Sequence, residues 1–145
     1  MYDQLKLDNQ ICFRLYSASR LLTQAYRPFL EPLGLTYPQY LVMLVLWECN
    51  RLTVGAIGER LLLESNILTP LLQRMERDGL ILRTKGTEDT RQTVAELTPR
   101  GKQLKRKAKD IPTCLKANMI GDILTVGNLV DFSATLDKII ALLKK

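Results

Sequence analysis

The residues best suited to chemistry in this sequence are a cysteine near the N-terminus and the tyrosines spaced after it. Cys12 lies four residues after Asp8, a good helix N-cap, and the apolar residues that follow recur at helical spacing. A helix N-terminus favours negative charge, so a thiolate placed there is a reactive nucleophile. Cys12 is therefore a candidate nucleophile, although a lone cysteine on an apolar helix is more often a structural residue.

Three tyrosines have the spacing to hold such a sulfur through their hydroxyl groups. Tyr16 follows Cys12 by one helical turn on the same face. Tyr26 is also near that face, but fourteen residues at a rise of ~1.5 Å place it ~21 Å along the axis. Tyr26 can therefore reach the sulfur only from an antiparallel partner helix, and Tyr37, at the head of the second predicted helix, can join it.

The composition argues against metal, cofactor and disulfide sites. The sequence has no histidine, which removes the usual general base, metal ligand and pH switch. Cys12, Cys49 and Cys114 are far apart and form no CxxC pair, so we expect no metal, no cofactor and no disulfide framework. Taken alone, Cys49 and Cys114 are interpreted as structural residues.

Length and hydropathy predict one globular domain. The chain has 145 residues, of which 46% are hydrophobic and 25% charged, enough to bury a substantial core. It has no run of about 18 apolar residues, and its N-terminus is polar and acidic. We therefore expect a cytoplasmic protein with no membrane span and no secretory signal.

The net charge of +6 is concentrated in one part of the chain. Residues 74–109 carry eleven Lys or Arg and five Asp or Glu, whereas the remainder carries ten of each. Such a surface is suited to phosphate groups. We interpret the cationic residues within 102–109 as a solvated helix face, and Arg74, Arg77 and Arg91 as contacts to DNA.

Helical patterns surround Cys12 and the tyrosines. The first predicted helix begins with Asp8 as N-cap and runs to about Leu30, before Pro32-Leu33-Gly34. The second begins at Thr36-Tyr37-Pro38 and ends near Cys49. Because the second helix is apolar nearly all round, it is expected to be a central buried helix.

The middle of the chain predicts a helix-turn-helix followed by a β-hairpin. The patterns predict two helices and two strands, at residues 54–61, 65–78, 80–83 and 93–97. Pro70 is tolerable only if its helix begins close to Ser65. This order is typical of a winged helix-turn-helix, in which the reading helix (65–78) enters the DNA major groove and the wing (80–97) lies near the minor groove.

The residues of this module expected to contact DNA are polar or charged. Asn66 and Gln73 carry amides suited to adenine. The full predicted set is Ser65, Asn66, Thr69, Gln73, Arg74, Arg77, Asp89 and Arg91.

The terminal helices have more apolar surface than the winged module can cover. After Thr98-Pro99 opens a helix, Asp110-Ile111-Pro112 interrupts it, Gly121 ends its continuation, and a last helix runs over about 125–143. The sequence predicts a mainly α fold with a small β-hairpin wing, as a single domain over 1–145. Residues of about 36–98 form its DNA-binding core, and 1–35 and 99–145 its dimerisation helices. A homodimer would match a palindromic operator with half-sites ~34–36 Å apart.

Five segments resemble the organic-hydroperoxide-sensing repressors, of OhrR type, in the MarR family. The resemblance covers the chain to about Lys116 and is carried by residues 8–20, 35–40, 68–72, 89–91 and 110–112. The Asp-x-Arg of the wing marks the MarR family generally, whereas the Cys12 block with Tyr16, Tyr26 and Tyr37 marks the peroxide-sensing branch.

The head of the reading helix departs from that resemblance. The family commonly has Asp-Ser-Gly-Thr there, where this chain has Glu64-Ser65-Asn66-Ile67. Gln73 also stands where Lys or Arg is common. An operator different from the usual one is therefore expected.

The resemblance implies a redox mechanism. The reduced dimer represses by binding double-stranded DNA, and the Cys12 thiolate attacks an organic hydroperoxide to become a sulfenic acid. Tyr26 and Tyr37 of the partner subunit hold the reduced sulfur, and loss of these bonds releases the operator. A disulfide to Cys114 of the other subunit, or to a small thiol, follows in the family. We favour Cys114, although its offset from Cys12 is a few residues short.

Two alternatives remain open at this point. One is a MarR-type repressor that is released by a small-molecule ligand, with Cys12 inert. The other is a thiol peroxidase, but the sequence lacks the βαβ pattern of a thioredoxin-like fold. We therefore expect a regulator and not an enzyme.

Overall fold

The computed structural model describes residues 2–116 and 126–144. They fall into two compact units, Met1–Lys109 and Asp110–Lys145. The predicted fold class, mainly α with a small antiparallel sheet, is confirmed. The helices of the first unit are α1 (Ile11–Ala25), α2 (Arg27–Leu30), α3 (Tyr37–Cys49), α4 (Val54–Leu61), α5 (Ser65–Arg77) and α6 (Pro99–Ala108).

The start of α1 differs from the prediction. Asp8 is not the N-cap, because it lies in a 3-10 turn (Leu7–Asn9), and Gln10 takes the N-cap position instead. The Gln10 amide makes no capping bond but donates to the carbonyls of Gln4 and Lys6, at 2.7 and 2.9 Å, and so fixes the preceding segment. As a result, Cys12 is the second residue of the helix and lies in its first turn.

The first helix is also shorter than predicted. It ends at Ala25, and a single turn, α2, carries Pro28 near its start. Because proline has no N–H to donate to the carbonyl four residues earlier, Pro28 is better placed at a helix start than within a continuous helix. A 3-10 turn (Glu31–Leu33) follows and ends at Gly34, whose φ of 71° is left-handed, as expected of a glycine that terminates a helix.

Helix α3 is the central helix that the sequence predicts. A capping box starts it: the Gln39 N–H donates to the Thr36 hydroxyl at 3.3 Å, and the Thr36 N–H to the Gln39 side chain at 3.1 Å. The Trp47 indole N–H donates to the Gly101 carbonyl at 3.0 Å, which joins α3 to α6. Apolar residues of α3 fill the core, among them Val42, Met43, Val45 and Leu46.

The sheet has one strand more than predicted. Its order is β1 (Arg51–Thr53), β3 (Thr93–Leu97) and β2 (Ile81–Lys85), antiparallel throughout. β1 has only three residues, too few for an alternating pattern, and pairing with β3 defines it as a strand (Arg51↔Glu96, Thr53↔Val94). It leads directly into α4, so this sheet edge and the helix-turn-helix are continuous.

The second unit contains α7 (Ile111–Leu115) and α8 (Val126–Leu143). The predicted interruption at residues 110–112 is confirmed, with Pro112 in the first turn of α7. The helix end predicted at Gly121 lies outside the described residues. Along α8, exposed apolar side chains include Val130 (63%) and Leu142 (84%).

A helix can cross a membrane only if it is both long and apolar enough. Within residues 2–116 and 126–144, no single helix is both long and apolar enough to do so. The segments Ile11–Leu33 and Tyr37–Cys49, taken together, meet the length and hydropathy needed for a membrane span, but the chain bends by 70° between them.

Candidate redox site and nucleic-acid interface

Three tyrosines form a cluster where α1, α2 and α3 meet. The ring centroids of Tyr26 and Tyr37 are 4.9 Å apart, and Tyr40 lies 5.6 Å from Tyr26 and 6.2 Å from Tyr37. Tyr40 is buried, whereas Tyr26 and Tyr37 are half-buried. Two of the predicted sensor residues are thus brought together by packing, with an open side toward solvent.

The environment of the cluster keeps the phenols protonated. Burial raises the pKa of Tyr26 above its usual 10.0, and the neighbouring Tyr37 raises it further. Burial likewise raises the pKa of Tyr37 and of Tyr40. A tyrosine is protonated at neutral pH even with its usual pKa, and these shifts extend that state to higher pH. The hydroxyls of Tyr26 and Tyr37 can therefore donate to an anion.

Cys12 and Tyr16 lie on the exposed surface of α1. The Cys12 thiol is free, and Tyr16 is 66% exposed. The axial rise from Cys12 to the end of α1 at Ala25 is ~20 Å. A Cys12 sulfur therefore cannot meet Tyr26 of its own chain along this helix, and a contact between them requires a second subunit.

A cavity of about 280 Å³ opens beside Tyr37. Its wall includes Arg27 and Leu30. The remaining lining residues are Thr23, Gln24, Glu31, Leu35, Thr36 and Pro38. Apolar and polar groups are therefore mixed along this wall.

The other two cysteines are also exposed. Cys114 lies in α7 of the second unit, and its backbone N–H donates to the Asp110 carbonyl at 3.0 Å. Cys49 ends α3, with its thiol 3.4 Å from the Val45 carbonyl. Across the described ranges, 2–116 and 126–144, no three His, Cys, Asp or Glu residues cluster in a way that could hold a metal ion.

Helix α5, the reading helix, has one buried and one exposed face. Leu68, Leu71, Leu72 and Met75 are at most 4% exposed and pack it onto the core. The helix begins at Ser65, which is the condition that the prediction set for Pro70. Pro70 is the sixth residue and lies inside the helix, so the bond that it cannot donate to the Asn66 carbonyl is lost in the second turn. The exposed face carries Asn66, Ile67, Pro70, Gln73, Arg74 and Arg77.

The wing presents Arg91 at its tip. The Arg91 side chain is 90% exposed, and its backbone N–H and Nε both donate to the Asp89 carboxylate, at 3.0 and 3.2 Å. These bonds, the side-chain bond foremost, hold the pKa of Asp89 below its usual range. Asp89 therefore orients the Arg91 guanidinium. The backbone carbonyl of Asp89 also lies close to Gly86, because a Cβ added at Gly86 would be 2.6 Å from its oxygen.

A link between the reading helix and the wing was not predicted. Glu76 accepts from the Arg83 backbone N–H at 2.9 Å and from its guanidinium at 3.1 Å. These bonds, chiefly the backbone one, lower the pKa of Glu76. Glu76 lies in α5 and Arg83 in β2, with the turn at Gly79 between them, so no helical spacing relates the two residues. In the sequence, only their opposite charges indicated a pair. Thr69 and Arg91 line one cleft, of about 280 Å³, with Arg83.

Comparison with known proteins places this architecture in a family. The family model for the transcriptional regulators SarA/Rot matches residues 24–108, which include the tyrosine cluster, the reading helix and the wing. The chain belongs to this family of transcriptional regulators. The organic hydroperoxide resistance transcriptional regulator of Bacillus subtilis is 52% identical over 111 residues, covering 77% of this chain and 76% of that protein.

Solved structures of similar regulators agree with the fold. AbfR of Staphylococcus epidermidis, reduced and bound to DNA, is 36% identical with a TM-score of 0.79, over 98% of both chains. Its disulfide-formed state has a TM-score of 0.65, at 37% identity over 95% of both chains. AbsC of Streptomyces coelicolor, a MarR family regulator, is 25% identical over 97% of both chains, with a TM-score of 0.83. The resemblance to organic-hydroperoxide-sensing regulators of the MarR family is thereby confirmed.

Proposed function

We propose that this regulator is a redox-sensing DNA-binding repressor, and that oxidation of Cys12 by an organic hydroperoxide releases its homodimer from the operator. The observation that carries the proposal is the pair of protonated phenols, Tyr26 and Tyr37, with ring centroids 4.9 Å apart. Their hydroxyls suit a thiolate, and the length of α1 allows only the partner subunit to supply Cys12.

Dimer formation is supported by apolar side chains that the single chain leaves in solvent. On α1, Ile11 is 67% exposed and Leu21 55%; on α8, Val130 is 63% exposed and Leu143 70%. Long helices that expose such residues are typical of helices that pack against a second copy. We propose that α1 and α8 contribute to this homodimer.

The proposed reaction begins with the Cys12 thiolate. Its sulfur attacks the terminal oxygen of the hydroperoxide, an S–O bond forms, the O–O bond breaks, and the leaving alkoxide takes a proton to become an alcohol. The sulfur loses two electrons and becomes a sulfenic acid, while the peroxide is reduced. Because the tyrosine hydroxyls stabilise a negative sulfur, the neutral sulfenic acid loses part of that stabilisation.

A second thiol then condenses with the sulfenic acid, forming a disulfide and releasing water. Cys114 is exposed and free, which suits this role in an inter-subunit disulfide. A disulfide-formed structure of the similar AbfR gives the proposal further support. A small cellular thiol would give a mixed disulfide by the same chemistry.

The reading helix and the wing are proposed to bind a palindromic operator in double-stranded DNA. On the reading helix, the residues concerned are Ser65, Asn66, Thr69, Gln73, Arg74 and Arg77. On the wing, Asp89 orients Arg91 for the minor groove. The similar AbfR is bound to DNA in its reduced form, and the cationic stretch over residues 74–109 supplies charge of the required sign.

The proposal is tested by release from DNA. Reduced protein is bound to a duplex that it has enriched from a randomised pool, and cumene hydroperoxide is added before a gel shift. Wild type is expected to release the duplex, whereas Cys12→Ser stays bound. Cys49→Ser is the matched control, since Cys49 is also exposed, and it should release like wild type. Release by Cys12→Ser, or retention by wild type, would contradict the proposal.

The cavity beside Tyr37 supports a second candidate function, release by a small-molecule ligand with Cys12 inert. That function predicts that Cys12→Ser still responds to the effector. In both cases the protein acts as a regulator and not an enzyme, since the proposed oxidation consumes one peroxide for each Cys12 and stops.

A further inference from the structure

We infer that Ile67 contacts a thymine methyl group in each operator half-site, so the reading helix also selects its sequence through an apolar contact. The inference rests on the proposed function, because it requires this helix in the major groove. It adds a specificity-determining residue to the polar and charged set predicted from the sequence.

Ile67 is exposed within a helix whose other large aliphatic side chains are buried. Its side chain is 54% exposed, while Leu68, Leu71 and Leu72 of the same helix are at most 4% exposed. The core of this module is therefore complete without Ile67. An aliphatic side chain that the core does not use is free to contact a partner molecule.

The side chains that share a helix face with Ile67 are mostly polar or charged. At 100° per residue, Ile67 and Arg74 are only ~20° apart around the helix axis. Pro70, Asn66 and Gln73 lie on the same face, in that order moving away from Ile67 past Arg74. Amides and a guanidinium thus share one face with a single large aliphatic side chain. That mixture suits the polar major groove better than a protein surface, which would favour a contiguous apolar patch.

Ile67 also lies at the N-terminal end of the reading helix. Ile67 is the third residue of α5, and the N-terminal residues of a reading helix are those that meet base edges. Thymine alone presents a methyl group in the major groove. An isoleucine in a helix has one strongly preferred χ1 rotamer, so it loses little side-chain entropy when it contacts that methyl.

The test removes one methyl group at a time. A duplex is enriched from a randomised pool by reduced wild-type protein, and each thymine is then replaced singly by deoxyuridine. We expect one thymine in each half-site at which the replacement weakens wild-type binding by about fourfold, the value of one buried methyl-sized group. Ile67→Ser is expected to be affected less than twofold at that position, with an unchanged salt dependence of binding.

Leu82→Ser provides the matched control. Leu82 is 56% exposed on β2 and pairs with Glu96, whose carboxylate disfavours approach to phosphates. This variant should show the wild-type response to deoxyuridine. Circular dichroism of Ile67→Ser and Ile67→Ala establishes that both remain folded, as an exposed position predicts.

The outcomes separate the inference from the proposed function. If wild type enriches a sequence but Ile67→Ser shows the same fourfold response at every thymine, the contact does not exist and the proposed function still stands. The same holds if no thymine of the enriched duplex is sensitive to methyl removal. If wild-type protein enriches no sequence, the proposed function fails and this inference fails with it.

Discussion

Replacing Tyr37 by phenylalanine tests the proposed contact between subunits. The ring remains, so its packing 4.9 Å from Tyr26 is retained and only the hydroxyl is lost. A hydrogen bond to a charged group contributes ~1.5–3 kcal/mol, and the half-buried position of Tyr37 favours the lower end. The thiolate, not the thiol, is the nucleophile. If the lost bond stabilises the thiolate by the lower value, the thiolate population of Tyr37→Phe falls about tenfold, and the oxidation of Cys12 slows by the same factor.

The assay is the rate at which cumene hydroperoxide converts the Cys12 thiol to a sulfenic acid trapped by dimedone. Tyr2→Phe is the control, because Tyr2 is 70% exposed and lies outside the cluster. It should react at the wild-type rate, whereas Tyr37→Phe should be slower.

Mixed dimers then decide which subunit supplies the tyrosine. One chain carries Tyr37→Phe and keeps Cys12, and the other carries Cys12→Ser and keeps Tyr37. If the phenol acts across the interface, the remaining cysteine faces a normal tyrosine and reacts at the wild-type rate. A mixed dimer as slow as the Tyr37→Phe homodimer would refute the arrangement between subunits.

Three further predictions concern the wing, the core and alkaline pH. Arg91→Ala should weaken operator binding and lower by about one the slope of log binding constant against log salt concentration. Asp89→Ala should weaken binding with an unchanged slope, because the cation remains but is no longer oriented. Equal slopes for the two variants would contradict the assignment. Gly101→Ala would push a Cβ into the Leu80 carbonyl, so the free energy of unfolding should fall by ~1–3 kcal/mol. An unchanged Tm would argue against this packing. The pKa of Tyr26 in the folded protein is raised above its usual 10.0. Its contribution to the free energy of unfolding is therefore present below about pH 10 and is lost as the pH rises further. Denaturant titrations at pH 9 and pH 11 would detect the loss.

The Glu76–Arg83 link bears on how oxidation reaches the DNA-binding surface. It joins the reading helix to β2 through a backbone and a guanidinium bond. The Trp47 indole bond to the Gly101 carbonyl joins α3, which begins at Tyr37, to α6. Because the Glu76–Arg83 bonds join the reading helix to β2, we propose that the reading helix and the wing move as one body when the operator is released.

Local signals in the sequence were enough to predict most elements. Capping residues and prolines act within a few residues of where they stand, so Thr36 and Thr98 mark helix starts that the structure has at Tyr37 and Pro99. The same locality explains two errors. Asp8 is a good cap in isolation, but the Gln10 side chain stabilises a 3-10 segment instead, and β1 is a strand only because β3 pairs with it.

The sequence by itself determined the residue types of the candidate site: a cysteine near a helix start, tyrosines, and an arginine at the tip of a hairpin. Only the tertiary structure decided which of them meet. Tyr26 and Tyr37 are eleven residues apart, and Tyr40, which is not among the predicted site residues, completes their cluster. Such contacts depend on how helices pack, and side chains distant in sequence carry no local signal of that packing. For the same reason, the Glu76–Arg83 pair and the exposure of Ile67 depend on how the reading helix packs on the core, which the sequence did not indicate.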